Sequence, residues 1–107
     1  MKPLLGLIAL PVCALLLAGC ETNSKLAPPV NTAFLRASHR KDSDTLALEA
    51  GRTIFVNRCI ACHALPKVAA HDAERIPRIV GVMSKRAHLT PEQRDQLTKY
   101  LLAVRAQ

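Results

Sequence analysis

The segment Cys59-Ile60-Ala61-Cys62-His63 constrains this chain more than any other feature, because it sets two thiols and an imidazole side by side. The surrounding sequence is short and poor in aromatic residues, with only Phe55 and Tyr100 between positions 44 and 105. Domains this small usually need a disulfide, a metal or a cofactor to stay folded. The motif therefore predicts a small fold built around a group that these side chains hold.

The first residues have the pattern of an export signal, with Lys2 ahead of an apolar run from Leu4 to Leu17. This run is too short and too interrupted to favour a membrane-spanning helix. It ends in Leu17-Ala18-Gly19-Cys20, which resembles the lipobox of bacterial lipoprotein signals. The resemblance implies a signal peptide over residues 1–19 and a lipid on Cys20. The alternative is an ordinary signal peptide with a chance cysteine.

Removal of residues 1–19 lowers the net charge only from +7 to +6, since Lys2 is the single charged residue lost. Such a basic surface favours anionic partners or lipid head groups. Nucleic acid is a poor candidate, because the chain has three aromatic residues and no known binding module. Cys13 leaves with the signal, so Cys59 and Cys62 are the thiols that remain once Cys20 is lipidated.

The rest of the chain divides into a predicted tether and an all-α head. Residues 20–43 show no clear period and are predicted to be a lipidated cysteine followed by a flexible tether, and residues 44–107 form the head. Apolar periodicity predicts helices over residues 45–58 and 73–86, the second beginning as late as Pro77. Thr90, Pro91 and Gln93 indicate the start of a third helix. No run alternates with the period of a strand.

Cys-x-x-Cys-His is the signature for attachment of a c-type haem. At the end of a helix, Cys59 and Cys62 lie on one side and can each add to a vinyl group of the porphyrin, which places His63 beneath the iron. Three alternatives are a thiol–disulfide redox site, a zinc site and a chance occurrence of the motif. A thiol–disulfide redox site is expected near a βαβ pattern, which is absent here. A zinc site needs further ligands, and His71 and His88 are not paired at metal-binding spacing.

Residues 49–104 resemble a small class I cytochrome c. Gly51 and Phe55 precede Cys59 at the positions where that family crosses its first and last helices, and Leu97, Tyr100 and Leu101 form the matching stripe. The resemblance implies three main helices around one covalent haem c. It also implies single-electron transfer between redox partners, and not an enzyme.

The family usually supplies a methionine as the second axial ligand, which here implies Met83 beside His63. The alternatives to Met83 are His71, His88 or an open position that holds water. His39 is not expected to bind the iron, because it lies in the predicted tether. An open position would suit reaction with peroxide or a small gas. A further alternative is an accessory haem subunit of a larger oxidoreductase.

The predicted location is the periplasmic side of a bacterial membrane, with the lipid on Cys20 as anchor and neither inner nor outer membrane assigned. A basic cluster near Met83 could guide an acidic redox partner, or could simply be solvated. Its members are Arg75, Arg78, Lys85, Arg86 and Arg94.

Overall fold

The computed structural model describes residues 25–60 and 64–107, and these residues form helices and connecting segments without any strand. The helices are α1 (Thr32–Ala37), α2 (Thr45–Ile54), α3 (Ile76–Arg86) and α4 (Pro91–Arg105). Short 3-10 turns cover Asp42–Asp44, Val68–Ala70 and Ala73–Arg75. The predicted all-α class is confirmed. Helices α2, α3 and α4 are the three that periodicity predicted.

Helix α2 continues directly into a π-helical turn, Phe55–Cys59, so the helical path runs from Thr45 to the first cysteine of the motif. Its packing partner is α4, whose buried residues are Leu97, Tyr100 and Ala103. Gly51 lies at the crossing. A Cβ atom there would come within 2.2 Å of the Gln96 backbone oxygen, so only glycine permits this approach. The role expected for Gly51 is confirmed.

The start of α4 forms as predicted. The Thr90 hydroxyl accepts a hydrogen bond from the Gln93 backbone N–H (3.2 Å), and the Gln93 side chain accepts one from the Thr90 N–H (3.0 Å). Pro91 occupies the first turn, where its missing N–H costs nothing. Helix α3 begins at Ile76, one residue before Pro77, after the 3-10 turn that contains Ala73. This agrees with the late start predicted for this helix.

The N-terminal segment differs from the sequence-based expectation of a flexible tether across residues 20–43. Asn31 caps α1, accepting a hydrogen bond from the Phe34 N–H at 2.9 Å, and Phe34 and Leu35 are buried. Ala27 is also fully buried. Residues 25–41, which we call the strap, are therefore part of the folded head. Residues 20–24 lie outside the described residues, as does the predicted signal at 1–19.

The strap is held mainly by Tyr100 and Arg52. The Tyr100 hydroxyl donates to the Pro28 carbonyl at 2.8 Å, and Arg52 Nε donates to the Ala27 carbonyl at 3.1 Å. The Phe34 and Tyr100 rings stack with centroids 5.8 Å apart and an interplanar angle of 13°. A six-residue helix is not stable alone, so these tertiary contacts are what stabilise α1.

Burial raises the pKa of Tyr100 to about 12, while the nearby Arg52 cation and its hydrogen bond act in the opposite direction. An unfolded tyrosine titrates near pH 10. The neutral phenol therefore contributes stability that is complete below pH 10 and is lost as the pH rises towards 12. We predict that the free energy of unfolding of the wild type falls across this interval more steeply than that of Tyr100→Phe. Denaturant titrations of both proteins test this, and parallel pH profiles would contradict it.

Candidate haem-binding site

An apolar cavity of about 380 Å³ lies among the π-helical turn Phe55–Cys59, α3, α4 and the segment that follows the cysteine motif. This volume falls within the roughly 300–1,000 Å³ typical of small-molecule and cofactor sites. The apolar wall comes from the π-helical turn that continues α2, from α3 and from α4, through Phe55, Ile76, Ile79, Val80, Leu97 and Leu101. Several residues predicted as core thus surround a space large enough for a ligand.

Cys59 and Met83 lie on the wall of this same cavity. Cys59 ends the π-helical turn that extends α2, and Met83 lies in the second half of α3. Both side chains are partly buried. Two sulfur-bearing residues 24 positions apart in the sequence therefore face one apolar space. The motif and the family resemblance single out these two residues, and the fold brings them together.

Cys62 and His63 lie outside the described residues, as does Cys20. The chain is described again from Ala64, and Leu65 is buried while Pro66 and Val68 contribute to the cavity wall. The cavity wall thus includes Cys59, which precedes residues 61–63 in the sequence, and Pro66 and Val68, which follow them.

The histidines considered as alternative ligands differ in position. His71 contributes to the cavity wall, although it is exposed overall. His88 is exposed and has a positive φ of 54° just after α3, where the Leu89 N–H donates to the Ser84 carbonyl at 2.9 Å. This is the left-handed residue of a helix C-cap. His39 has the same role after α1, with a φ of 55°.

Three side chains with nitrogen atoms interrupt the apolar wall, namely Arg58, His71 and Arg86. Arg58 donates to the Ala87 carbonyl and so joins the end of α2 to the end of α3. Arg105 Nε donates to the His71 carbonyl at 2.8 Å, which fixes the 3-10 segment to α4. No sequence signal identifies Arg58 or Val68 as wall residues, because their positions depend on tertiary contacts.

The cavity suits the cofactor that the motif predicts. A porphyrin is a broad apolar body with two carboxylates, and this cavity combines an apolar wall with arginines and with sulfur atoms on two helices. Within the described parts of the chain, no three His, Cys, Asp or Glu side chains come together as a metal cluster. In the same residues no helix has the length and hydropathy needed to cross a bilayer.

Comparisons with protein-family models, curated proteins and solved structures found no match.

Proposed function

We propose that this protein is a lipid-anchored, monohaem c-type cytochrome that carries single electrons between redox partners on the periplasmic side of a bacterial membrane. The observation that carries the proposal is that Cys59 and Met83 share one apolar cavity in an all-helical head. The Cys-x-x-Cys-His motif supplies the specific chemistry. The proposal includes a specific fold within the all-α class, in which the helices are arranged around one haem as in a cytochrome c.

In this proposal, Cys59 and Cys62 would hold the haem through thioether bonds, and His63 and Met83 would bind its iron. When bound, the haem supplies one-electron redox chemistry. The chain contributes binding, burial and orientation. Phe55, Val80 and Leu97 exclude water from the cavity, and a thioether ligand raises the reduction potential relative to a second histidine.

The main alternative keeps the haem but leaves its sixth position open, so that peroxide or a small gas could react there. The presence of Met83 in the cavity wall favours the electron carrier over this alternative. Apart from Cys59, His71 is the other described residue of the cavity wall whose side chain could bind iron, and it is more exposed than Met83. The visible spectrum of the ferric protein separates the two, because sulfur ligation gives a band near the red end and an open position gives high-spin features.

Met83→Leu tests the axial ligand with little disturbance of packing, since leucine and methionine have similar volumes. We expect this variant to retain covalent haem, to lose the red-end band and to have a lower reduction potential than the wild type. The change in packing should lower the free energy of unfolding by less than about 1.5 kcal/mol. Loss of the bond between sulfur and iron adds to this change. Absorption spectra and redox titration provide the measurements.

Ile79→Leu is the matched control, because Ile79 contributes to the same cavity wall from the same helix and has no ligating atom. Its spectrum and potential should remain those of the wild type. Persistence of the red-end band in Met83→Leu would exclude Met83 as its source, whereas a wild-type low-spin spectrum that lacks the band would point to a histidine such as His71 as the ligand.

A further inference from the structure

The strap connects the folded head to the residue predicted to carry the lipid. Its contacts with Arg52 and Tyr100 begin at Ala27 and Pro28, close to the first described residue, Lys25. Ala27, Phe34 and Leu35 are 0%, 4% and 6% exposed, so the strap is as buried at these positions as the rest of the core. The position of Lys25 relative to the head is therefore fixed by the fold.

The length of chain between Lys25 and the proposed lipid site is short. Residues 20–24 can span at most about 18 Å, even when fully extended. The tether predicted from the sequence, about 20 residues long, could have spanned on the order of 65 Å when fully extended. If Cys20 carries the lipid, the face of the head that bears the strap is held close to the bilayer.

The strap is also uniformly basic. It contains Lys25, Arg36, Arg40 and Lys41 and no acidic residue, and the first carboxylates follow at Asp42 and Asp44. Lys25, Arg36 and Lys41 are exposed. Lysine and arginine side chains near a membrane surface are attracted to anionic lipids.

From these three observations we propose that the strap is a membrane-contact surface for anionic phospholipid head groups. It seats the head directly on the bilayer in one orientation. The inference rests on the proposed lipid anchor and extends it, because the anchor alone specifies neither contact nor orientation. Burial of the strap's apolar side chains in the head leaves its cations to make the contact.

The test uses the full-length mature lipoprotein in supported bilayers of phosphatidylcholine, with or without an equal share of phosphatidylglycerol. Neutron reflectometry measures the water layer between the head groups and the protein. We expect no resolvable water layer on the anionic bilayer for the wild type. The double variant Arg36→Glu/Lys41→Glu should lose this contact, because it reverses two exposed charges of the strap.

The matched control is Arg78→Glu/Arg94→Glu, which makes the same change of net charge at exposed positions on α3 and α4. It should retain contact. A third variant carries a Gly/Ser insertion after Ser24, which lengthens the anchor and leaves the strap intact. It should remain in contact on the anionic bilayer and move away on the neutral one.

A water layer beneath the wild type on the anionic bilayer would overturn the inference, and so would equal loss of contact in the strap variant and its control. The inference would also be overturned if the insertion variant separated from the anionic bilayer. The intact mass of each sample records lipid and haem independently. A lipidated head that stands off the anionic surface contradicts only this inference, whereas absence of lipid contradicts the proposed anchor as well.

Discussion

Exported protein in which Cys59 and Cys62 are both replaced by alanine will carry no covalent haem, and its head will lose most of its helical structure. The first effect follows from loss of both thioether bonds. The second follows from the cavity, because α2 and α3 both pack on α4 and about 380 Å³ of apolar space lies beside them. An unfilled apolar cavity of this size lowers stability by several kcal/mol, on the order of the whole stability of a small domain.

Haem staining on a denaturing gel measures the covalent cofactor, and circular dichroism measures the helices. Cys13→Ala is the matched control, since it removes a thiol from the predicted signal and leaves the mature chain unchanged. It should show full haem content. Haem staining that persists in the Cys59→Ala/Cys62→Ala double variant would contradict the assignment of these residues.

Gly51→Ala is expected to lower the free energy of unfolding by about 3 kcal/mol or more, at the upper end of the effects of overpacking. The added Cβ would lie 2.2 Å from the Gln96 backbone oxygen and 2.7 Å from the Tyr100 Cβ. Because the closest atoms belong to a helix backbone, no rotamer change relieves the clash. Helices α2 and α4 must separate, which also disturbs Phe55 and the cavity wall.

Gly81→Ala provides the control for this prediction. Gly81 also lies within a helix, α3, but a Cβ there would meet no atom within 4 Å. Alanine has the higher helix propensity, so this variant should be more stable than the wild type by up to about 1 kcal/mol. Denaturant unfolding of both variants measures the two effects. Equal stabilities would show that the close α2–α4 crossing is absent in solution.

Local signals in the sequence predicted α2, α3 and α4 well. The Thr90 cap, Pro91 and the apolar stripe through Leu97 and Tyr100 act within a few residues of one another, so their effects can be recognised without a structure. The crossing of α2 and α4 was predicted from Gly51 by resemblance.

The strap was missed because its structure depends on distant residues. Asn31 is a standard helix cap, yet six residues with only two large apolar side chains, adjacent in the sequence, give no periodic pattern. Tyr100, far along the chain, stabilises the segment through a hydrogen bond to Pro28 and a ring stack on Phe34. The π-helical turn Phe55–Cys59 has no sequence signature either, although such turns are frequent at functional sites.

The candidate site was only partly predictable for the same reason. The motif identified Cys59, and the resemblance selected Met83 as the one methionine left after removal of the signal. That both residues belong to one cavity wall depends on how α2 and α3 pack, as do the positions of Arg58 and Val68. Cys62, His63 and Cys20 lie outside the described residues, and their roles remain predictions.

The intact mass of the exported protein is the most direct test of the central claim. The protein should be purified from cells that can attach haem to c-type cytochromes. The account predicts a chain that begins at Cys20 and carries lipid together with the mass of one haem. A mature chain with lipid and no porphyrin would contradict the proposed cytochrome.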